Sequence, residues 1–264
     1  MFFDDNVLEF MCQTAKEAGE KTVEGRKALN SNEIDSKATV KDIVTVCDRD
    51  TEKFIVSKLL SKFPDSGIYG EEFGRINQES PWCWIIDPID GTASFVHNQP
   101  AYSVSIALWH EGQPVAGAVY APKLNELYYG KASGGAWCNG EAIHVSSNSE
   151  MNSAMLISGF ACLRAGWTNN NLPFFCKAAT LAREIRRFGS AALDICFVAS
   201  GKADAFWELN LALYDYAGAV PILLGAGGKV SDTKGHKIFT RGIICSNGVM
   251  HDAMVELLAE YDPD

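Results

Sequence analysis

The chain has 264 residues, 47% hydrophobic and 21% charged, which is enough for a sizeable core in one domain or two packed halves. With 33 acidic against 23 basic residues the formal net charge is −10, which argues against a general binder of nucleic acid or of anionic membranes. No apolar run approaches the roughly 18 residues of a membrane span, and Met1-Phe2-Phe3-Asp4-Asp5 lacks the basic start and apolar core of a signal peptide.

Val7, Leu8, Met11, Ala15 and Ala18 share one face at helical spacing, so the chain opens with an amphipathic helix. Residues 30–41 are polar and aperiodic, a mobile loop in which Lys37 reads as a solvated lysine. Val44 and Val46 alternate with Thr45 and Cys47, and Asp48 caps a helix through Phe54, Ile55, Leu59 and Leu60 that ends at Pro64. Gly67-Ile68-Tyr69-Gly70 is a short strand leading to Glu71-Glu72, either a solvated turn or a contribution to a cation site. Trp84-Ile85-Ile86 suits a strand buried on both faces, with Asp87 at its end and Pro88 stopping the ladder. Asp90, Gly91 and Thr92 follow, Thr92 as N-cap of a short helix, and His97 comes soon after.

Residues 102–108 alternate as a half-buried strand, followed by an antiparallel meander through 115–120, 126–129 and 141–145. The second half starts near Asn152 with a strand at 154–158, a polar loop at 167–171 and a helix to about Arg183. Gly189-Ser190-Ala191-Ala192 opens a further helix, its small residues serving either ligand approach or tight packing. A strand at 203–207 leads to Glu208. Asp215 heads a helix pattern at 216–224, and a strand at 243–245 and a helix at 249–258 finish the chain. The eight cysteines are dispersed without a C-x-x-C pair, which reads as reduced thiols of a cytoplasmic protein and not as a zinc site.

Two carboxylates at a strand end, with backbone N–H groups just beyond, can hold hard cations and an anion together, as metal-assisted phosphate ester hydrolysis requires. Asp-Pro and Asp-Gly pairs are also ordinary turn chemistry. A calcium loop is excluded by the missing EF-hand spacing.

Four stretches in order decide between these readings: 42–48, Gly70-Glu71-Glu72, 84–92 and 189–228. With Phe95-Val96-His97 and 103–107 they resemble the inositol monophosphatase family, part of the lithium-sensitive, magnesium-dependent phosphatase superfamily, over nearly the whole chain. The resemblance implies an α/β (α+β) fold, a layered αβαβα sandwich of the inositol monophosphatase and fructose-1,6-bisphosphatase type. It implies one catalytic domain in two packed halves, about 1–150 carrying most metal ligands and about 151–264 carrying Asp215 and substrate contacts. By resemblance Glu71, Asp87, Asp90, Asp215 and the Ile89 carbonyl bind two to three Mg2+ ions. Thr92, polarised by Asp48, positions the attacking water, with Glu71 also catalytic. Asp90, Gly91, Thr92 and Asp215 hold the phosphate, and Gly189, Ser190, Ala191 and Glu208 face the alcohol. Lys37 falls at the family's mobile-loop lysine.

The implied activity is hydrolysis of inositol 1-phosphate by a cytoplasmic homodimer without nucleic-acid or membrane partners. Histidinol phosphate is the alternative, ahead of fructose 1,6-bisphosphate and 3′-phosphoadenosine 5′-phosphate. A metal-binding regulatory protein on the same fold is the non-enzymatic one. The chain departs from the family's usual pattern at Tyr214, Gly218 and Gly225. Residues 214–228 look more like the histidinol-phosphate phosphatase branch, whereas 189–194 and Phe206-Trp207-Glu208 look like inositol phosphatases.

Overall fold

The computed structural model describes residues 2–30, 34–36, 43–236 and 242–260. The first half runs α1 (Asp5–Ala28), β1 (Ile34–Ser36), β2 (Ile43–Thr45), α2 (Val46–Lys62), β3 (Gly67–Gly70), β4 (Gly74–Ile76), β5 (Trp82–Asp90) and α3 (Thr92–Val96). It continues through β6 (Ser103–His110), β7 (Gln113–Ala121), β8 (Glu126–Lys131), β9 (Ala136–Cys138) and β10 (Glu141–Ala142). The second half runs β11 (Met155–Ser158), α4 (Ala161–Arg164), α5 (Leu172–Leu181), β12 (Glu184–Arg186), α6 (Ala191–Ala199), β13 (Ala205–Leu209) and α7 (Leu213–Ala217). It ends with α8 (Ala219–Gly225), β14 (Lys229–Ser231), β15 (Gly242–Ser246) and α9 (His251–Leu257).

Helix and sheet alternate in five layers, as the αβαβα reading expects. Outermost, α1 and α2 lay Val7, Leu8, Met11, Ala15, Ala18, Ile55 and Leu59 on one face of an eight-stranded sheet ordered β10-β9-β8-β7-β6-β5-β3-β4. Removing a side chain such as Leu59 from water is worth about 1.5–3 kcal/mol, and repetition of such burial holds the layer. The sheet's other face packs on α6, α7 and α8, and α6 and α8 pack in turn on a five-stranded sheet ordered β12-β11-β13-β15-β14. Trp207, Leu209 and Ile244 on the far face of that sheet are covered by α5 and α9 through Phe174, Ala178, Met254 and Leu257.

Local chemistry moves several of the sequence boundaries. The cap of α2 is Thr45, whose side chain accepts from Cys47 N, while Asp48 is the third helical residue and bonds back to Thr45. β5 does not stop at Asp87; it runs to Asp90 through a bulge, since Asp87 pairs with Ser105 and Asp90 with Ser103. Pro88, which has no N–H to give the ladder, lies inside that bulge. Gly91 caps α3, and Thr92 is its first residue. The 216–224 pattern is two helices, α7 and α8, divided at Gly218. A Cβ on Gly218 would overlap Ser105 Oγ, and one on Gly117 would overlap the Gly218 carbonyl, so the divided helix sits directly on the sheet backbone. A Cβ on Gly225 would run into the carbonyls of Gly135 and Lys131.

Candidate active site

Both sheets aim strand ends at one cleft of about 490 Å³, lined by Glu71, Asp87, Ile89, Asp90, Gly91, Thr92 and Ala93 from the first half. From the second half come Gly159, Ala161, Arg164, Arg187, Gly189, Ala191, Glu208, Asn210, Tyr214 and Asp215. The bulge in β5 separates Asp87 from Asp90 by an extra residue, yet both carboxylates stay buried. Asp215 arrives from the first turn of α7, anchored where its Oδ2 accepts from Ala212 N at 2.6 Å. Carboxylate oxygens of Asp87, Asp90 and Asp215 all lie within 4.8 Å of one another.

Each carboxylate is fixed before any ligand arrives. Asp87 Oδ1 accepts from Ile89 N at 3.0 Å. Asp90 Oδ2 accepts from Ser190 Oγ at 2.6 Å and from Ala192 N at 2.7 Å, which seats it at the start of α6. Glu71 lies against Asp87 and shares a carboxyl hydrogen bond with it. Asp48 Oδ2 accepts from both Thr45 N and Thr45 Oγ1, at 2.7 and 2.6 Å. The Thr92 hydroxyl stands 3.3 Å from Asp48 Oδ1 and 3.2 Å from the Ile89 carbonyl.

So many acids crowded together and largely buried oppose ionisation. Burial pushes Asp87 well above the usual carboxylate range, and Glu71, Asp90 and Asp215 push it further. Asp215 is raised for the same reasons, burial first, then Asp90 and Glu71. Asp90 is pushed up to about 7 by burial, against the pull of its bonds to Ser190 and Ala192. Asp48 also rises to about 7, through burial and the nearby Glu71 and Glu72. Among the described residues no lysine or arginine is ion-paired with Asp87, Asp90 or Asp215. Oxygen-only donors crowded in this way fit a hard divalent cation, which would supply the missing positive charge.

Gly91, at φ 91° and ψ 40°, is the one residue type suited to the left-handed turn that starts α3. A Cβ there would lie 3.0 Å from the Gly189 carbonyl and 3.1 Å from the Ala101 carbonyl, so the two halves touch through backbone. On the far wall Glu208 is buried in β13, and its Oε1 accepts from Ala161 N at 2.8 Å. Arg164 and Arg187 both bear on Glu208 electrostatically.

Not every expected residue faces the cleft. Gly189 and Ala191 line it, but Ser190 is fully buried, its hydroxyl on Asp90 and 3.1 Å from Ser103 Oγ. His97 is exposed at the end of α3, and the expected loop lysine, Lys37, lies outside the described residues. Sequence reasoning missed Arg164 and Arg187, isolated basic residues in polar stretches that carry no pattern. Tyr214, noticed as a departure, also lines the cleft, its ring edge-on to Tyr69 at 5.8 Å.

A profile described as the inositol monophosphatase family matches residues 4–262. An inositol-1-monophosphatase of Synechocystis is 37% identical over 230 residues, covering 86% of this chain and 80% of the relative. A protein of Pseudomonas aeruginosa named Nus factor SuhB is 33% identical over 267 residues, 97% of each chain. The solved structure of an inositol monophosphatase from Anabaena superposes with a TM-score of 0.88 at 33% identity, covering 98% of this chain and 97% of that one.

Proposed function

Starting from the fact that this chain belongs to the inositol monophosphatase family and is a phosphatase, a phosphoric monoester hydrolase, we propose that it hydrolyses a small polyol phosphate with bound magnesium. The observation that carries this reading is the meeting of Asp87 and Asp90 with Asp215, from the other half of the chain, beside the Thr92–Asp48 pair. Glu71, Asp87, Asp90, Asp215 and the Ile89 carbonyl would hold the ions. When bound, magnesium would neutralise the carboxylates and polarise both the ester and the attacking water.

The chain's own groups do the rest. With its hydrogen directed at Asp48, the Thr92 hydroxyl presents lone pairs that accept from a water and orient it. Asp48, burdened by burial, takes up proton density from that pair. The N–H groups at the start of α3, of the cap Gly91 and of Thr92 and Ala93, have no side-chain cap and border the cleft, where phosphate oxygens would accept from them.

Inositol 1-phosphate is the first choice of substrate. Glu208 keeps an oxygen for a leaving-group hydroxyl, while Arg164 and Arg187 already supply positive charge beside it, which disfavours cationic histidinol. Gly218 and Gly225 pack on the large sheet and its turn, away from the cleft, so only Tyr214 among the three departures bears on selectivity. We also infer a cytoplasmic homodimer. Eight free cysteines support the compartment, and the dimer rests on the family resemblance.

Phosphate release with magnesium from inositol 1-phosphate, histidinol phosphate, fructose 1,6-bisphosphate and 3′-phosphoadenosine 5′-phosphate tests the proposal. Inositol 1-phosphate should give the largest kcat/KM. Preference for histidinol phosphate would overturn the choice of substrate, and release from none of them would overturn the activity.

A further inference from the structure

α2 presents a buried stripe of Asp48, Thr51, Glu52, Ile55 and Leu59 to the large sheet, apolar at one end and acidic at the other. Asp48 serves Thr92. Glu52, one turn further along the same face, has no exposed surface and faces the link between β3 and β4. Both of its oxygens are engaged: Oε2 accepts from Glu72 N at 2.8 Å and Oε1 from Phe73 N at 3.1 Å. On the other side, Glu71 N donates to the Ile86 carbonyl of β5 at 3.2 Å. Gly70 makes the approach feasible, because any Cβ there would fall inside the Glu52 carboxylate.

We propose that Glu52 is a positioning residue for Glu71: its carboxylate clamps the backbone of residues 72 and 73 and so fixes where Glu71 points into the cation cluster. This rests on reading the cleft as a magnesium site. The clamp secures an edge of the sheet where Phe73 and Ile76 are exposed, so little of the fold depends on it. Burying a carboxylate is costly, and its two bonds converge on the turn that delivers one side chain to the cluster. Partners that orient a metal-binding side chain change metal affinity by about 10–100-fold when removed. Gln in place of Glu keeps the shape but sets an NH2 against one of the two N–H donors, so one bond is lost.

The test is magnesium chloride titration by calorimetry and by thermal shift, with no substrate present, on wild type, Glu52→Gln, Gly70→Ala and Leu59→Val. Leu59→Val loosens the same helix without touching the turn. Glu52→Gln and Gly70→Ala should raise the half-saturating magnesium about tenfold, while Leu59→Val matches wild type. Turnover should follow: kcat of Glu52→Gln returns to within about threefold of wild type in excess magnesium, with KM for the ester unchanged. Equal magnesium affinity in Glu52→Gln and wild type would overturn the proposal even with activity intact. A wild-type protein that does not respond to magnesium would overturn the cation site itself, and this inference with it.

Discussion

On the wall of the cleft built from the large sheet, every acidic side chain is tied to a backbone N–H, a hydroxyl or another carboxyl. On the wall built from the small sheet, Glu208 has one backbone donor and feels the charge of two exposed arginines that have no hydrogen-bonded partners among the described residues. The first wall is fixed in advance and overloaded with negative charge. The second is sparsely furnished and adjustable. On the proposed function, chemistry that any phosphate ester would need would fall to the first wall, and discrimination among alcohols to the second.

Substitutions on the two walls should therefore fail in different ways. Asp90→Asn removes a charge from the cluster while keeping the amide's capacity to meet Ser190. Phosphate release should fall by about a thousandfold or more for every substrate. Thr92→Val keeps the shape and removes the hydroxyl that, on the proposed function, would link Asp48 to the attacking water. A loss of about a hundredfold in kcat with little change in KM is expected from steady-state kinetics.

A third difference is thermodynamic. Asp48 and Asp90, pushed from an ordinary 3.8 to about 7, bind their protons more tightly folded than unfolded. Their contribution to stability is complete below about pH 4 and is lost as pH rises through 7. His251 runs the other way. Buried between Ser246 and Ser231, it is pushed down to about 4, and its contribution is complete above 6.5 and lost as pH falls toward 4. Between pH 6.5 and 8 the carboxyls alone change, so metal-free protein should melt several degrees lower at pH 8, each 1 kcal/mol being worth about 2–4 °C. Magnesium should raise Tm more at pH 8 than at 6.5, as read by thermal shift. On the second wall the effects are smaller. Arg187→Ala and Glu208→Gln should move kcat/KM by about tenfold or less and change its order among the four substrates; uniform loss across all four would erase the distinction between the walls.

Much of the first wall could be read in the sequence because its residues sit where periodicity breaks. The apolar run 84–86 ending in Asp87, and Asp215 heading a helix pattern, announce themselves as element ends. The bulge at Pro88 and Ile89 could not be read, since it depends on register with β6. Nor could the short strands β4, β12 and β14, whose three residues each are too few to show alternation. Glu52 looks like any helix-surface glutamate until Gly70 is placed beside it. Arg164 and Arg187 meet Glu208 only through the packing of the small sheet. Gly218 and Gly225 read as marks of another substrate until the sheet backbone is seen against them.

The most direct test sets wild type against Asp215→Asn in phosphate release from inositol 1-phosphate across a magnesium titration. Wild type should be inactive without magnesium and saturate as it is added. Asp215→Asn, altered on the other side of the chain from Asp87 and Asp90, should stay at least about a hundredfold slower at every concentration. Equal rates for the two proteins, or full activity in chelator, would contradict the account.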